Sequence, residues 1–306
     1  MNEVNVYEVG PRDGLQNEAT VVSTDAKVEL ISRLAAAGYR DIEVSSFVRP
    51  RWIPQLADAS DVIARLPPIE GVTYWALVPN QRGLERALDS GLGAVATFMS
   101  ASETHNLRNV NRTMRESRAE LREVIATAVS EGLRVRSYIS TVFGCPYEGQ
   151  VAPERSVELA GALLDAGAEM ISLGDTTGMG NPAQVQDIVG RMAAAGLPLE
   201  RLALHMHDTR GTALANVLAG LQAGIRTFDA SVSGLGGCPY APGASGNAAT
   251  EDLVAMLQDM GYVTGLDLEG ICEAGLYIES VLGRELPGRY HQFFRGQSSR
   301  ARVMNG

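Results

Sequence analysis

The chain has 306 residues, of which 45% are hydrophobic and 20% are charged, a composition typical of globular proteins. Its formal net charge of -10 argues against nucleic acid or an anionic membrane surface as the main partner. There is no apolar run of the ~18–20 residues that a membrane span needs, and the opening MNEVNVYEVG lacks the features of a signal peptide. The chain has three cysteines, an odd number that suggests no disulfide framework. We therefore expect a soluble cytoplasmic protein.

Helical stretches in this chain repeatedly stop at a glycine, and an apolar extended run follows. The opening strand VNVYEVG comes first, and LISRLAAAG then ends at Gly38 before YRDIEVSSF. Glycine directly after a helix is the usual left-handed cap, because it takes a positive φ without penalty. The other seven helices are expected to end at Gly71, Gly91, Gly132, Gly167, Gly196, Gly224 and Gly261.

Eight predicted strands therefore alternate with eight predicted helices. Short apolar strands that alternate with helices are typical of a parallel sheet buried on both faces. The pattern favours an α/β fold in which the strands close into a (β/α)8 barrel, the TIM barrel. The alternative is an open doubly wound sheet, but GPRDGLQ stands where its G-x-G-x-x-G would follow the first strand. We expect the barrel domain at residues 1–285, an added helix over 266–285, and a tail at 286–306 without usable periodicity.

Side chains able to do chemistry follow the predicted strands, where the active site of such a barrel lies. Arg12 and Asp13 follow the first strand, Glu43 lies in the second, and Asp175 follows the sixth. Arg12 beside Asp13 could form a structural ion pair, but arginine is also the residue that binds carboxylates and polarises carbonyls. For Glu43 we favour a role in orienting its neighbours. Asp175 is open between orienting a neighbour and transferring a proton itself.

The sequence HMHD at the seventh strand is the strongest local signal. His205 and His207 point to the same face of a strand, because side chains alternate. Two imidazoles at the barrel mouth form half of a metal site, although two hydrogen-bonded core histidines would give the same pattern. With a carboxylate from Asp13 and an amide oxygen from Asn247, the ligand set suits Mg²⁺ or Mn²⁺. A zinc site built from both histidines and Cys238 is the alternative.

Six motifs occur in order along the chain: EVGPRDGLQNE, IEVSSFVRPRWIPQLAD, GCPYEG, ISLGDTTG, HMHDTRGTALANVLAGLQAG and VSGLGGCPYAPGASGNAATEDLV. Together they resemble the 3-hydroxy-3-methylglutaryl-CoA (HMG-CoA) lyases, a family of metal-dependent barrel enzymes, over roughly residues 3–285. The resemblance implies that an acyl-CoA, HMG-CoA, is cleaved to acetyl-CoA and acetoacetate.

The resemblance also implies roles for individual residues. Arg12 would stabilise the enolate that develops at the thioester carbonyl, and Cys238 would lie on a mobile glycine-rich loop that closes over the substrate. Glu43 and Asp175 would complete the site. The divalent cation, Mg²⁺ or Mn²⁺, would be held by Asp13, His205, His207 and Asn247.

Cleavage of the C2–C3 bond needs a base for the C3 hydroxyl, an electrophile for the enolate oxygen and an acid for the departing carbon. The base is Asp175 or His205 in this hypothesis, and Arg12 meets the enolate charge. Cys238 can donate a proton, because a thiol with the ordinary pKa of ~8.5 is mostly neutral at pH 7; its alternative role is a small packing residue. A Schiff-base aldolase is disfavoured, because the only lysine, Lys27, is expected on the solvated side of the first helix.

Other hypotheses stay open beside this one. The stretch SASETHNLRNVN after the fourth strand leaves room for a larger 3-substituted 3-hydroxyglutaryl-CoA or another 3-hydroxyacyl-CoA as substrate. The enzyme could also run in the condensing direction. An inactive metal-binding scaffold is the hypothesis from a different class, and the intact set of site residues argues against it. The sequence leaves the oligomeric state open, a homodimer included.

Overall fold

The computed structural model describes residues 2–238 and 241–304, and the side chains of residues 2–237 and 245–297. Eight parallel strands close into a barrel, in which the first strand pairs with both the second and the eighth. The predicted (β/α)8 barrel is confirmed. The barrel strands are β1 Asn5–Glu8, β2 Asp41–Ser46, β3 Thr73–Leu77, β4 Ala94–Ser100, β5 Arg134–Ser140, β6 Met170–Gly174, β7 Leu202–His205 and β8 Thr227–Ala230.

Helices surround the barrel and pack their apolar faces against it, so that one continuous core lies between the strands and the helices. No helix in the described part of the chain has the length and apolar character needed to cross a bilayer. The helices are α1 Thr24–Ala36, α2 Ala59–Arg65, α3 Gln81–Asp89, α4 Glu103–Val110, α5 Met114–Ser130, α6 Pro153–Asp165, α7 Pro182–Ala194, α8 Ala213–Gln222, α9 Thr250–Asp259, α10 Leu268–Leu282 and α11 Arg289–Met304.

Seven of the eight predicted glycines directly follow the end of a helix, and Gly71 is the exception. The second helix ends at Arg65, with an extended residue before Pro67, so Gly71 lies in the turn before β3. All eight predicted glycines have positive φ, between 75° and 116°. At Gly38 the requirement is also steric, since a Cβ there would lie 2.5 Å from the carbonyl oxygen of Gly265. In these seven helices the positive φ that ends the helix also turns the chain toward the next strand or segment, so most of the glycine repeat in the sequence follows the repeat of the barrel.

Two helices appear where the sequence gave no clear period. Between β4 and β5 the chain forms α4 as well as α5, because the Ser102 hydroxyl caps the first turn of α4 and Asn111 ends it at a φ of 55°. After Pro287 the chain forms α11, which packs against α9 and α10. The helix expected over 266–285 is α10, slightly shorter than predicted.

The expectation of a solvated Lys27 is wrong. Its side chain is 3% exposed, and its ammonium group donates to Asp58 Oδ1 at 2.7 Å and to the carbonyl oxygen of Gln55. The segment before α2 packs over the first turn of α1 and supplies both acceptors, a long-range contact that helical periodicity does not reveal. Lys27 also lies outside the described lining of the cavity that contains Arg12 and His205.

Substitution of glycines inside the helices can test how closely the helices pack against the barrel strands. A Cβ on Gly220 in α8 would lie 2.2 Å from Leu204 Cδ1 in β7, whereas no described atom lies within 4 Å of a Cβ on Gly190 in α7. We expect Gly220→Ala to lower the free energy of unfolding by about 1–3 kcal/mol through overpacking. Gly190→Ala should raise it by ~0.5–1 kcal/mol, because alanine favours a helix. Urea unfolding of both variants measures this, and equal effects would contradict the proposed packing.

Candidate metal centre and active site

The turn after β1 presents Arg12 and Asp13 to the barrel mouth. The carbonyl oxygen of Val9 accepts hydrogen bonds from the amides of Arg12, Asp13 and Gly14 at 3.2, 2.7 and 3.3 Å, which winds residues 10–14 into one wide turn. Gly14 is required there, because a Cβ would lie 2.9 Å from Ser231 Oγ. The turn therefore fits directly under the segment that follows β8.

Three of the predicted metal ligands converge at this mouth. One donor atom from each of Asp13, His205 and His207 lies within 4.8 Å of the other two. The two imidazoles face each other with 3.2 Å between their Nε2 atoms, while Met206 between them is buried in the core. Strand β7 ends at His205, and His207 lies two residues farther along, where it forms an isolated bridge with Asn247, so both imidazoles reach the mouth.

The fourth predicted ligand, Asn247, completes the group from the far end of the chain. Its Nδ2 donates to Asp13 Oδ2 at 3.0 Å and to the carbonyl oxygen of Leu235 at 3.2 Å. Its buried Oδ1 has no hydrogen-bond partner within the described residues. An orphaned amide oxygen beside a carboxylate and two facing imidazole nitrogens fits a divalent cation better than a self-contained polar network.

The electrostatics of the group favour the protonation states that a metal requires. Burial alone would raise the pKa of Asp13, but the charges of Arg12, His205 and His207 lower it to about 2. Burial and the neighbouring His205 lower the pKa of His207 to about 3. At neutral pH the carboxylate is therefore ionised and this imidazole is neutral, which are the forms that bind a cation.

Glu43 lies behind Arg12 and is fully buried. Its carboxylate accepts from the guanidinium of Arg12 and from the hydroxyl groups of Tyr138 and, at 3.5 Å, of Tyr7. Arg12 forms a second ion pair with Asp13. This geometry fixes the guanidinium at the mouth and places Glu43 against it, away from the open cleft.

Asp175 follows β6, and its carboxylate points toward the turn formed by the residues that come directly after it. It accepts from the amides of Met179 at 2.9 Å and Gly180 at 3.0 Å. Burial raises its pKa to about 6, although both amides act in the opposite direction. Gly174 and Thr176 on either side line the cleft. Asp175 thus shapes this rim, and its elevated pKa also suits proton exchange near neutral pH.

Cys238 is the one predicted site residue whose side chain lies outside the described residues. Its backbone forms the short strand β9, Gly237–Cys238, which pairs antiparallel with β10, Ala241–Ser245. Gly237 lines the cleft. A Cβ on Gly236 would lie 2.9 Å from Asn247 Nδ2, so glycine is needed where this loop passes the metal ligands.

Sequence reasoning missed the polar groups inside the barrel. Asp229 of β8 lies 3.3 Å from His205 Nδ1, accepts from Ser172 Oγ at 2.7 Å and pairs with the buried Arg136. Contact with a carboxylate at Nδ1 leaves Nε2 free to bind a cation. The signal was present, since RVRSYIS and TFDA place charges in strands that a barrel normally fills with apolar side chains.

The convergent groups open onto a cavity of about 840 Å³. Arg112 and His105, from the segment after β4, reach its rim, and Arg112 pairs with Glu120 at 3.0 Å. Further lining residues are Arg12, Asp13, Gln16, Asn17, Trp52, Asn80, Phe98, Tyr138, Ser140, Thr176, His205 and His207.

Comparison with known proteins agrees with this architecture. The sequence model of the HMGL-like family matches residues 3–278. The chain belongs to the HMGL-like family. Hydroxymethylglutaryl-CoA lyase YngG of Bacillus subtilis (strain 168) is 51% identical over 293 residues, which cover 96% of this chain and 98% of that protein.

Solved structures of HMGL-like proteins superpose over nearly the whole chain. The HMG-CoA lyase of Bacillus subtilis has a TM-score of 0.94 at 50% identity, covering 96% of this chain and 99% of its own. An HMG-CoA lyase from Acinetobacter baumannii, solved with coenzyme A and 3-methylmalate, has a TM-score of 0.90 at 40% identity and 95% coverage of both chains. The barrel and its mouth therefore follow a family of carbon–carbon lyases.

The metal centre makes a direct prediction about His207. We expect His207→Ala to weaken Mn²⁺ binding by on the order of tenfold or more. Loss of a residue that only orients a metal ligand already lowers metal affinity by about that factor, and His207 is a predicted ligand itself. His105→Ala is the matched control, because His105 lines the same cleft outside the donor group. Isothermal calorimetry measures both affinities. An unchanged affinity in His207→Ala would contradict the assigned site.

Proposed function

We propose that this chain is a divalent-metal-dependent lyase that cleaves HMG-CoA to acetyl-CoA and acetoacetate. The observation that carries the proposal is the group of Asp13, His205 and His207, with donor atoms within 4.8 Å of one another, beside Arg12 in a cavity of about 840 Å³. A cavity of that size at the carboxyl end of barrel strands is where such folds bind their substrates. Relatives about half identical to this chain carry the name of this activity.

An acyl-CoA is the substrate class that the comparisons favour, because the relative from Acinetobacter baumannii was solved with coenzyme A. HMG-CoA itself is our choice of acyl group. A lyase for a larger 3-substituted 3-hydroxyglutaryl-CoA, or for another 3-hydroxyacyl-CoA, is the alternative, because the rim residues after β4 come from the stretch SASETHNLRNVN.

The residues that would hold the metal are Asp13, His205, His207 and Asn247, and the donor set fits Mg²⁺ or Mn²⁺. When bound, the cation would act as a Lewis acid that acidifies the C3 hydroxyl and orients the substrate oxygens. The chain prepares this group beforehand, since Asp229 holds His205 by its Nδ1 and Asn247 holds Asp13.

The reaction is a retro-Claisen cleavage in which a base removes the proton from the C3 hydroxyl. The C3–O bond becomes a carbonyl, the C2–C3 bond breaks, and its electron pair passes to the thioester as an enolate. His205 and Asp175 are the two candidates for the base. Asp175 is the better candidate, because its pKa is about 6. His205 faces the cleft, but the contact of its Nδ1 with Asp229 and metal binding at Nε2 would leave no ring nitrogen to accept the proton.

Arg12 would stabilise the enolate in this proposal. Its guanidinium lies at the mouth, fixed from behind by Glu43 and from the side by Asp13. A guanidinium that is already oriented toward the developing oxyanion stabilises the transition state, because it does not have to reorganise during the reaction. Glu43 acts through Arg12 in this proposal and is a positioning residue.

Cys238 completes the reaction by donating a proton to C2 of the enolate, which yields acetyl-CoA. Its loop, starting at the lining residue Gly237, would close over the cleft and exclude water from the enolate. We further propose that the enzyme acts in the cytoplasm in the degradation of leucine or related acyl groups. Association into a homodimer stays a prediction, and sedimentation velocity would measure the oligomeric state.

The first test uses metal-stripped protein and HMG-CoA, with acetoacetate as the readout. We expect product only after Mg²⁺ or Mn²⁺ is added. A 3-substituted 3-hydroxyglutaryl-CoA with a longer 3-alkyl chain is assayed in parallel, and faster turnover of that substrate would favour the alternative. Folded, metal-loaded protein that cleaves neither substrate would contradict the proposed lyase.

The second test replaces the thiol on the loop. We expect Cys238→Ser to lower kcat by ~10²-fold or more, the contribution of a general acid, with the fold and Mn²⁺ affinity retained. Cys272→Ala is the control, because Cys272 is buried in α10, away from the cleft lining. Wild-type turnover in Cys238→Ser would remove the thiol from the mechanism.

A further inference from the structure

We propose that the C-terminal helix α11 is a positioning element for the active-site loop, acting through Gly288 and His291 on the base of that loop. The loop base is defined as residues 231–236, directly before Gly237 and Cys238. The inference rests on the proposed function of the Cys238 loop and adds the part of the chain that holds it.

The loop base has a conformation that its own sequence does not favour. Ser233 has a φ of 54°, in the left-handed region that a residue with a side chain rarely occupies. Buried carboxylates hold it there: Glu8 accepts from the Val232 amide at 2.9 Å, and Glu251 accepts from the Ser233 amide at 2.7 Å and hydroxyl at 2.8 Å. Strained backbone of this kind persists only where its surroundings fix it.

The start of α11 closes the same point from the outside. The Gly288 amide donates to the carbonyl oxygen of Ser233 at 2.9 Å. A Cβ on Gly288 would lie between 3.0 and 3.1 Å from three backbone atoms of Ser233, so the two backbones touch. Pro287 packs beside them, with its Cγ 3.2 Å from the position of a Cβ on Gly234.

Helix α11 is itself firmly held, so it can act as a fixed support. Asp252 of α9 accepts from the amides of Arg289 at 3.1 Å and Tyr290 at 2.6 Å, which caps the first turn. His291 is fully buried and pairs through Nε2 with Glu279 of α10 at 3.0 Å.

Gly275 of α10 marks the point where these elements meet. A Cβ on Gly275 would lie 2.1 Å from Ser233 Oγ, 2.9 Å from His291 Nδ1 and 3.0 Å from Glu251 Oε1. The loop base, α9, α10 and α11 therefore share one small buried volume around the Ser233 side chain. A shift of α11 has no space to occur without moving the loop base.

The loop base is in turn bonded to the metal centre. The carbonyl oxygen of Leu235 accepts from Ser231 Oγ at 2.7 Å and from Asn247 Nδ2 at 3.2 Å. Contacts thus run from α11 through Ser233 and Leu235 to Asn247 and to the strand that carries Cys238. Helix α11 lies beyond residue 278, where the match to the sequence model of the HMGL-like family ends, whereas the alignment with the Bacillus subtilis relative covers 293 residues and reaches into this helix.

The test compares Gly288→Ala, directly before α11, with Gly296→Ala, a change inside α11 where no described atom lies within 4 Å of the added Cβ. We expect Gly288→Ala to lower kcat for HMG-CoA by about tenfold, because small misplacements of catalytic groups are costly, with KM nearly unchanged. Hydrogen exchange should quicken in residues 231–238 and stay unchanged in β4 and β5. Gly296→Ala should match the wild type in all three readouts.

A folded Gly288→Ala variant with wild-type kcat and exchange would overturn the proposal. If that variant does not fold, native-state hydrogen exchange of the unmodified enzyme in rising urea decides. We expect segments 231–236 and 286–291 to lose protection in one step, and separate steps would overturn the coupling. An unmodified enzyme that does not cleave HMG-CoA contradicts the proposed function instead, and the exchange measurements still test the coupling.

Discussion

A buried guanidinium needs compensating negative charge, and at the barrel mouth this constraint falls on Arg12. Its side chain is 7% exposed and pairs with Glu43, which is fully buried, and with Asp13. Without such partners, the buried charge would lower the free energy of unfolding by several kcal/mol, as is typical when one member of a buried ion pair is removed. The pairing also fixes direction: one carboxylate orients the arginine toward the cleft, and the other is kept ionised beside the histidines.

The same constraint extends through the barrel interior. Arg136 pairs with Asp229, Asp229 contacts His205, and the Tyr138 ring lies 5.0 Å from the Arg136 guanidinium carbon. Tyr138 also donates to Glu43, which holds Arg12. Buried polar groups thus connect Arg12 with His205 through the barrel interior. Each member of this network pairs with another member, although Nε and Nη1 of Arg136 have no hydrogen-bond partner among the described residues. Such pairing restricts side-chain motion, which a preoriented catalytic site requires.

The sequence predicted best what local chemistry decides. Seven of the predicted helices end at a glycine because that residue takes the required φ cheaply, so Gly38 and six equivalents could be identified without a structure. The helix expected to end at Gly71 instead ends at Arg65. The convergence of His205 and His207 follows from the two-residue period of a strand. The metal-binding and catalytic roles of these residues stay predictions. The resemblance to the family motifs is what allowed a role to be assigned to each residue.

Long-range contacts set the limit of such prediction. Lys27 was expected in solvent because its helix gave no sign of Asp58, and Asp229 was overlooked because its partners, Arg136 and Ser172, come from other strands. Helix α11 lacks a usable period, and its contacts with Ser233 and Asp252 depend on a backbone geometry that no spacing encodes. These positions are decided by tertiary packing, which overrides local propensity.

The seam where β1 meets β8 has a consequence for how the protein matures. Asp13 and Asn247 are hydrogen-bonded across 234 positions of sequence, and the histidines precede the last strand. A chain emerging from the ribosome therefore cannot assemble this group until nearly all of the barrel has been synthesised. Contacts of such separation form late, because the loop that they close costs the most entropy. Capture of a cation during refolding would thus report the moment at which the barrel closes.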